Sequence, residues 1–318
     1  MKKVLVTGGA GFIGSHVVDG YLEQGWKVVV VDDLSSGKKE NLNEKAKFYQ
    51  IDIADESLDE IFAKEKFNLI NHHAAQVDVR VSIKKPLFDA QVNILGTLNL
   101  LENCVKHRVN NFVFISSGGA VYGEPAHLPV NEYYPKNPLS PYGVSKHTIE
   151  HYLHYYRKTY GLNYLSLRYG NVYGPRQDPY GEAGVIAIFT QQMLRGKRPK
   201  IFGDGEQLRD YVHVNEVVNI NLLASKQIES LNEKKSSSPN DLAYNVGTGK
   251  GSSVNLLYQL LSQITGFKSR PIYAPERKGE IRRIFLNTEK AKRELAWQSH
   301  LGLREGLEKT VNWFRENL

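Results

Sequence analysis

The run Val4-Leu-Val-Thr-Gly-Gly-Ala-Gly-Phe-Ile-Gly14 narrows most sharply what this chain can fold into. Its apolar start reads as a strand buried on both faces. Phe12, Ile13, Val17, Val18 and Leu22 then recur at helical spacing. Gly8, Gly11 and Gly14 allow a tight turn, close approach of the backbone to a pyrophosphate, and close packing of helix on strand. Phosphates held there sit at a helix N-terminus, where free amides and the dipole favour negative charge. The spacing is G-x-x-G-x-x-G rather than G-x-G-x-x-G. A second strand, Lys27-Val-Val-Val-Val-Asp32-Asp33, ends in acid 18 positions after Gly14. A carboxylate there can accept from a ribose diol and repels a 2′-phosphate, which favours NAD over NADP.

The elements that follow alternate. Strands are expected near 47–51, 68–72, 111–116 and 163–168, with helices near 57–64, 86–107 and from Tyr142 onward. Strands separated by helices of ten or more residues make parallel βαβ units, so the expectation is an α/β fold with a doubly wound parallel sheet over residues 1–170. Beyond it, Tyr173-Gly-Pro-Arg176 and Phe202-Gly-Asp-Gly205 interrupt shorter elements. Residues 171–318 therefore read mainly as a smaller mixed α/β substrate-binding lobe, with some segments returning to the first sheet.

Tyr142 and Lys146 stand four apart at the start of a helix that follows the strand ending in Ser116-Ser117. On one helical face an ammonium can lie near a phenol and favour its ionised form, which makes Tyr142 a proton acceptor near neutral pH. His147, His151 and His154 share that helix, but Thr148 stands where a metalloprotease glutamate would, and no metal site is expected. Cys104 is the single cysteine, so disulfides within the chain and cysteine-based metal sites are excluded. The net charge of +7 is spread among acids without a long basic run, which fits an anionic small substrate and argues against nucleic acid. Neither an apolar run of 18 residues nor a signal peptide is present. No membrane association and a cytoplasmic location are the expectation.

Further motifs run along the chain: Asp52-Ile53, His72-His-Ala-Ala-Gln76, Asn93, Val121-Tyr-Gly123, Arg168-Tyr-Gly-Asn-Val-Tyr-Gly-Pro175, Phe202-Gly-Asp-Gly205, Arg209-Asp-Tyr-Val-His213, Asn245-x-Gly247 and Arg277-x-Gly-Glu280. With these the sequence resembles the extended short-chain dehydrogenase/reductase family, and within it the UDP-glucose 4-epimerases and related nucleotide-sugar enzymes. The resemblance implies a Rossmann fold, tightly held NAD and catalysis by Tyr142 and Lys146.

It further implies cofactor contacts from Gly8, Gly11, Phe12, Ile13, Gly14, Asp32, Asp33, Ser35, Ser36, Gly37, Asp52, Ile53, Ala74, Ala75, Gln76, Asn93, Ser116, Tyr142, Lys146 and Tyr169. For a UDP-sugar it implies Ser117, Gly118, Tyr142, Asn171, Val185, Lys200, Ile201, Phe202, Arg209, Arg277 and Glu280, the two arginines gripping the phosphates. The implied reaction is interconversion of UDP-glucose and UDP-galactose through a 4-keto sugar. A UDP-glucuronate 4-epimerase or decarboxylase shares nearly every motif, and a non-catalytic NAD sensor would not need the Tyr-Lys pair. Dehydratases of the family carry Asp-Glu where this chain has Gly119-Ala120.

The helices beginning at Pro86 and Tyr142 carry apolar and aromatic residues on more than one side, including Leu98, Leu101, Tyr152 and Tyr155, so a symmetric homodimer built on these two helices is the expectation. One departure stands out. Gly118 replaces the family's Ser or Thr, and the expectation is that a water fills the missing hydroxyl's space while Ser117 points away unless the chain bends at Gly118-Gly119.

Overall fold

A computed structural model describes residues 1–180, 184–277 and 281–318. Six strands come from the first 170 residues: β1 (Lys3–Thr7), β2 (Lys27–Asp32), β3 (Lys47–Gln50), β4 (Leu69–His72), β5 (Asn111–Ser117) and β6 (Asn163–Tyr169). The second half supplies β7 (Asn171–Tyr173), β8 (Lys200–Phe202), β9 (Leu208–His213), β10 (Ala243–Val246), β11 (Gly251–Ser253), β12 (Ile272–Ala274) and β13 (Arg283–Ile284). The main sheet is parallel throughout, in the order β10-β6-β5-β4-β1-β2-β3. Its direction of winding reverses at β1, between β4 and β2. That is the crevice in which open α/β sheets bind ligands, at the carboxyl ends of the strands.

Val4–Val6 and Val28–Val31 are buried because helices cover both faces of the sheet, so these strands need continuous rather than alternating apolar residues. The helices are α1 (Phe12–Glu23), α2 (Leu58–Glu65), α3 (Val79–Lys84), α4 (Pro86–Ala90), α5 (Thr97–Lys106), α6 (Pro141–Tyr160), α7 (Val185–Leu194), α8 (Val214–Asn232), α9 (Val254–Thr265), α10 (Glu289–Leu295) and α11 (Leu303–Asn317). A second apolar cluster joins α7, α9 and α11 through Phe189, Leu257 and Val311. Four short strands, β7, β9, β11 and β13, and the parallel pair β8 and β12 lie outside the main sheet.

Two expectations need correction. The stretch 86–107 is not one regular helix: α4 and α5 are separated by a wider π turn over Gln91–Gly96. Within it the Thr97 hydroxyl donates to the Asn93 carbonyl at 2.8 Å, and the Asn93 side chain turns toward Gln76 and Asp89. Such turns re-aim side chains at functional sites. Leu101, expected at a subunit surface, is wholly buried in the main core, because α5 packs its own apolar stripe on the sheet; Leu98 is partly buried there too.

Candidate active site

The β1–α1 turn admits only glycine at two of its positions. Gly8 has φ +68°, and a Cβ there would lie 2.6 Å from the Ala74 nitrogen. At Gly14 a Cβ would stand 2.1 Å from the Gly8 carbonyl oxygen. The Gly11 amide donates to that same oxygen at 3.1 Å, and α1 begins at Phe12 with no side-chain cap and no acid in its first turn. Free amides therefore face the crevice.

Asp32 ends β2 almost fully buried. Ala10 and Leu34 each donate a backbone amide to its carboxylate, at 3.0 and 2.9 Å. Burial nonetheless raises its pKa, outweighing those amides. Gly37 closes over it, for a Cβ there would lie 2.6 Å from Oδ1. Asp33 is exposed and accepts from the Ser35 amide and hydroxyl, with Ser36 exposed beside them. On the next loop Asp52 accepts from the Ala54 amide at 2.9 Å, while Ile53 is buried under Gly96. Ala74 borders the glycine turn, and both it and Ala75 are half-buried. Gln76 and Asn93 exchange two bonds of 2.9 Å, which fix the loop after β4 to the π turn.

Helix α6 starts cleanly: Pro141 takes its first position and the Ser140 hydroxyl accepts the Gly143 amide. Tyr142 is half-buried at this end and Lys146 is buried one turn below. The Lys146 Nζ lies 5.8 Å from the Tyr142 ring centroid and 5.0 Å from that of Phe114, and donates to the Ile115 carbonyl at 3.0 Å. Burial brings its pKa down to about 8. The i,i+4 pairing thus produces the cation beside the phenol. Arrangements of this kind suit proton transfer at an alcohol next to a hydride acceptor.

A profile of the NAD dependent epimerase/dehydratase family matches residues 4–247. The chain belongs to this family. It is 48% identical to a putative UDP-glucose 4-epimerase of Methanocaldococcus jannaschii, over 99% of each chain. A crystal structure of UDP-glucose 4-epimerase from Thermotoga maritima with UDP-glucose aligns at TM-score 0.93 and 50% identity, covering 99% of both chains. The Thermus thermophilus UDP-glucose 4-epimerase complex with NAD aligns at 0.90 and 41%, covering 99% of this chain and 100% of that one. For a family that uses NAD the cradle fits: glycines where a side chain would collide, bare amides at α1 and a buried carboxylate at the end of β2.

Against this family pattern three expected site residues sit differently. Ser116 donates its hydroxyl to Glu150 at 2.7 Å and is buried, so strand alternation turns its side chain toward α6. Tyr169 points into the core, where the Asn221 side-chain amide donates to its hydroxyl; its backbone carbonyl, by contrast, accepts from the amides of Gly118 and Gly119. Those two amides bend the chain off β5. As a result Gly118 faces inward, and a Cβ there would lie 2.6 Å from a methyl of Leu286. Leu286 fills the space assigned to a water, and that expectation falls. Ser117 faces the other way: a Cβ at Gly119 would lie 3.9 Å from the Ser117 hydroxyl and 3.7 Å from Asn171 Oδ1, so both look into one space.

The remaining residues expected to meet a substrate lie in the second half of the chain. Asn171 is exposed on β7, and Val185 opens α7 half-buried. On β8 Lys200 is exposed, Ile201 is buried and the Phe202 ring carries the Arg277 guanidinium 3.8 Å from its centroid. Arg209 is on β9 and donates to the Leu208 carbonyl. Glu280 lies outside the described residues.

Sequence reading missed the buried network beneath α6. Arg168 and Glu150 form a bidentate pair at 2.8 and 2.6 Å, both without solvent exposure. Arg168 also donates to the Tyr122 hydroxyl, the Glu132 carbonyl and Asn240. Burial would raise the Glu150 carboxyl, but Arg168 overcomes it and holds Glu150 far below the usual carboxylate range. The available signal was Glu150 itself, four residues after Lys146 on the same helical face. His72 is a packed residue bonded to the Thr7 and Thr97 hydroxyls, and burial keeps it neutral. Among the described residues no cluster suits a metal.

Proposed function

We infer that this chain is an NAD-dependent UDP-sugar 4-epimerase whose principal pair is UDP-glucose and UDP-galactose. The observation that carries this is the buried Lys146 beneath Tyr142, at the carboxyl end of a sheet whose first turn is built for a dinucleotide. NAD, which the glycine turn, the free amides of α1 and Asp32 would hold, would supply reversible hydride acceptance at the sugar C4. The Tyr142 oxygen takes the C4 hydroxyl proton and gives it back, and the Lys146 charge favours the phenolate needed for the first of these. Ser117, facing the same space as Asn171, can donate to or accept from the sugar at that carbon.

Asn171, Val185, Lys200, Ile201, Phe202, Arg209, Arg277 and Glu280 hold the uridine diphosphate. Ile201 does so through its backbone, because its side chain is buried. Anchoring at the nucleotide leaves the hexose free to present either face, as inversion at C4 requires. Gly119-Ala120 offer no acid or base for dehydration. The protein works as a cytoplasmic homodimer joined through α4 and α6, where Leu87, Phe88, Val144 and Tyr155 are about half exposed or more. No helix among the described residues is long and apolar enough to cross a membrane.

Purified protein given UDP-galactose should yield UDP-glucose by NMR, and the reverse. Product from UDP-glucuronate with none from either hexose would overturn the assignment.

A further inference from the structure

We propose that Asp89 is the positioning residue of this site: its buried carboxylate is the counter-charge of Lys146 and the latch between α6 and the loop that carries Gln76. The proposal rests on the catalytic reading of Tyr142 and Lys146 given above. Asp89 is wholly buried on α4. Gln76 Nε2 and Asn93 Nδ2 donate to its Oδ1 at 2.9 and 3.0 Å, and the Ser145 hydroxyl donates to its Oδ2 at 2.6 Å. Those bonds join the loop after β4, the π turn and the catalytic helix at one point.

All three donors are neutral, and no ion pair to Asp89 exists among the described residues. An asparagine could accept the first two bonds and donate to the Ser145 oxygen, with no carboxylate to desolvate. Hydrogen bonding alone therefore does not account for a charge here.

Lys146, the residue after Ser145, does. It is buried, and its oxygen partner is the Ile115 carbonyl rather than a carboxylate. Facing it are Tyr142 on its own helix, the ring of Phe114 on β5, and His72 and His73 at the end of β4, both kept neutral by burial. Glu150, one turn further along α6, is committed to Arg168. Asp89, from α4, supplies the negative charge that offsets part of the burial penalty on the ammonium.

Asp89→Asn separates charge from packing. By ¹⁵N NMR of labelled lysine, with the Lys146 signal identified by its loss in Lys146→Arg, the ammonium should titrate roughly one pH unit lower than in the parent protein. The alkaline limb of kcat should move down with it, while KM for UDP-galactose stays within about twofold. A folded Asp89→Asn protein with an unmoved titration and limb would overturn the proposal, even if its melting temperature fell. Ser145→Ala keeps the charge and removes the latch: kcat should fall about fivefold or more with the limb in place. No loss of kcat, or a shifted limb, contradicts the assignment. Should Lys146→Ala retain full activity, the catalytic reading itself fails, irrespective of Asp89.

Discussion

At the scale of single residues, the chemistry proposed for this site turns on a cation below a phenol. Tyr142→Phe should lower kcat by at least ~100-fold, the scale of a positioned acid-base group, with folding and NAD binding kept. Because burial has brought Lys146 down to about 8, its ammonium is present below that pH and is lost as pH rises through it. Activity should therefore decline on the alkaline side near pH 8, and a flat rate to pH 10 would contradict the role of the charge. Gly118→Ser should destabilise by ~1–3 kcal/mol through collision with Leu286, the usual cost of overpacking, and Leu286→Ala in the same chain should recover part of it in urea unfolding. The Tyr142-Lys146 pair was legible because four residues along a helix are neighbours whatever the fold. The direction of Gly118 was not, since it depends on two amides bending toward a carbonyl of a different strand.

At the scale of elements, α6 both carries the Tyr142-Lys146 pair and covers a buried ion pair. Removing one partner of such a pair leaves an uncompensated charge, so Glu150→Ala should cost about 3–5 kcal/mol by chemical denaturation. A loss below 1 kcal/mol would show that Arg168 finds other compensation. Residues 18 apart in sequence meet here only because β6 lies alongside β5 under α6, and no local spacing announces that. The alternation of strands and helices, by contrast, was plain from buried valines and glycine turns. The π turn at Gln91–Gly96 was hidden because its apolar residues still follow a helical period, and only the wider backbone turn itself reveals it.

At the scale of the whole molecule, apolar side chains on α4 and α6 remain uncovered in the single chain, Leu87 most of all at 86% exposure. Light scattering at micromolar concentration should give twice the chain mass, and Leu87→Asp with Tyr155→Asp should return it to the single value. The doubly wound parallel sheet was readable from βαβ repetition, but the place of β10 at the sheet edge beside β6 was not, since its four residues follow the shorter elements of the second lobe and the helix α8. The glycine turn, the buried carboxylate and the Tyr-Lys pair come together at the crevice beside β1, and together they claim that one hydrogen leaves C4 and comes back to the opposite face of the same carbon. UDP-galactose carrying deuterium at C4 tests this most directly. UDP-glucose formed in ordinary water should retain the deuterium at C4; loss of that label to solvent would rule out return of the same hydrogen to that carbon.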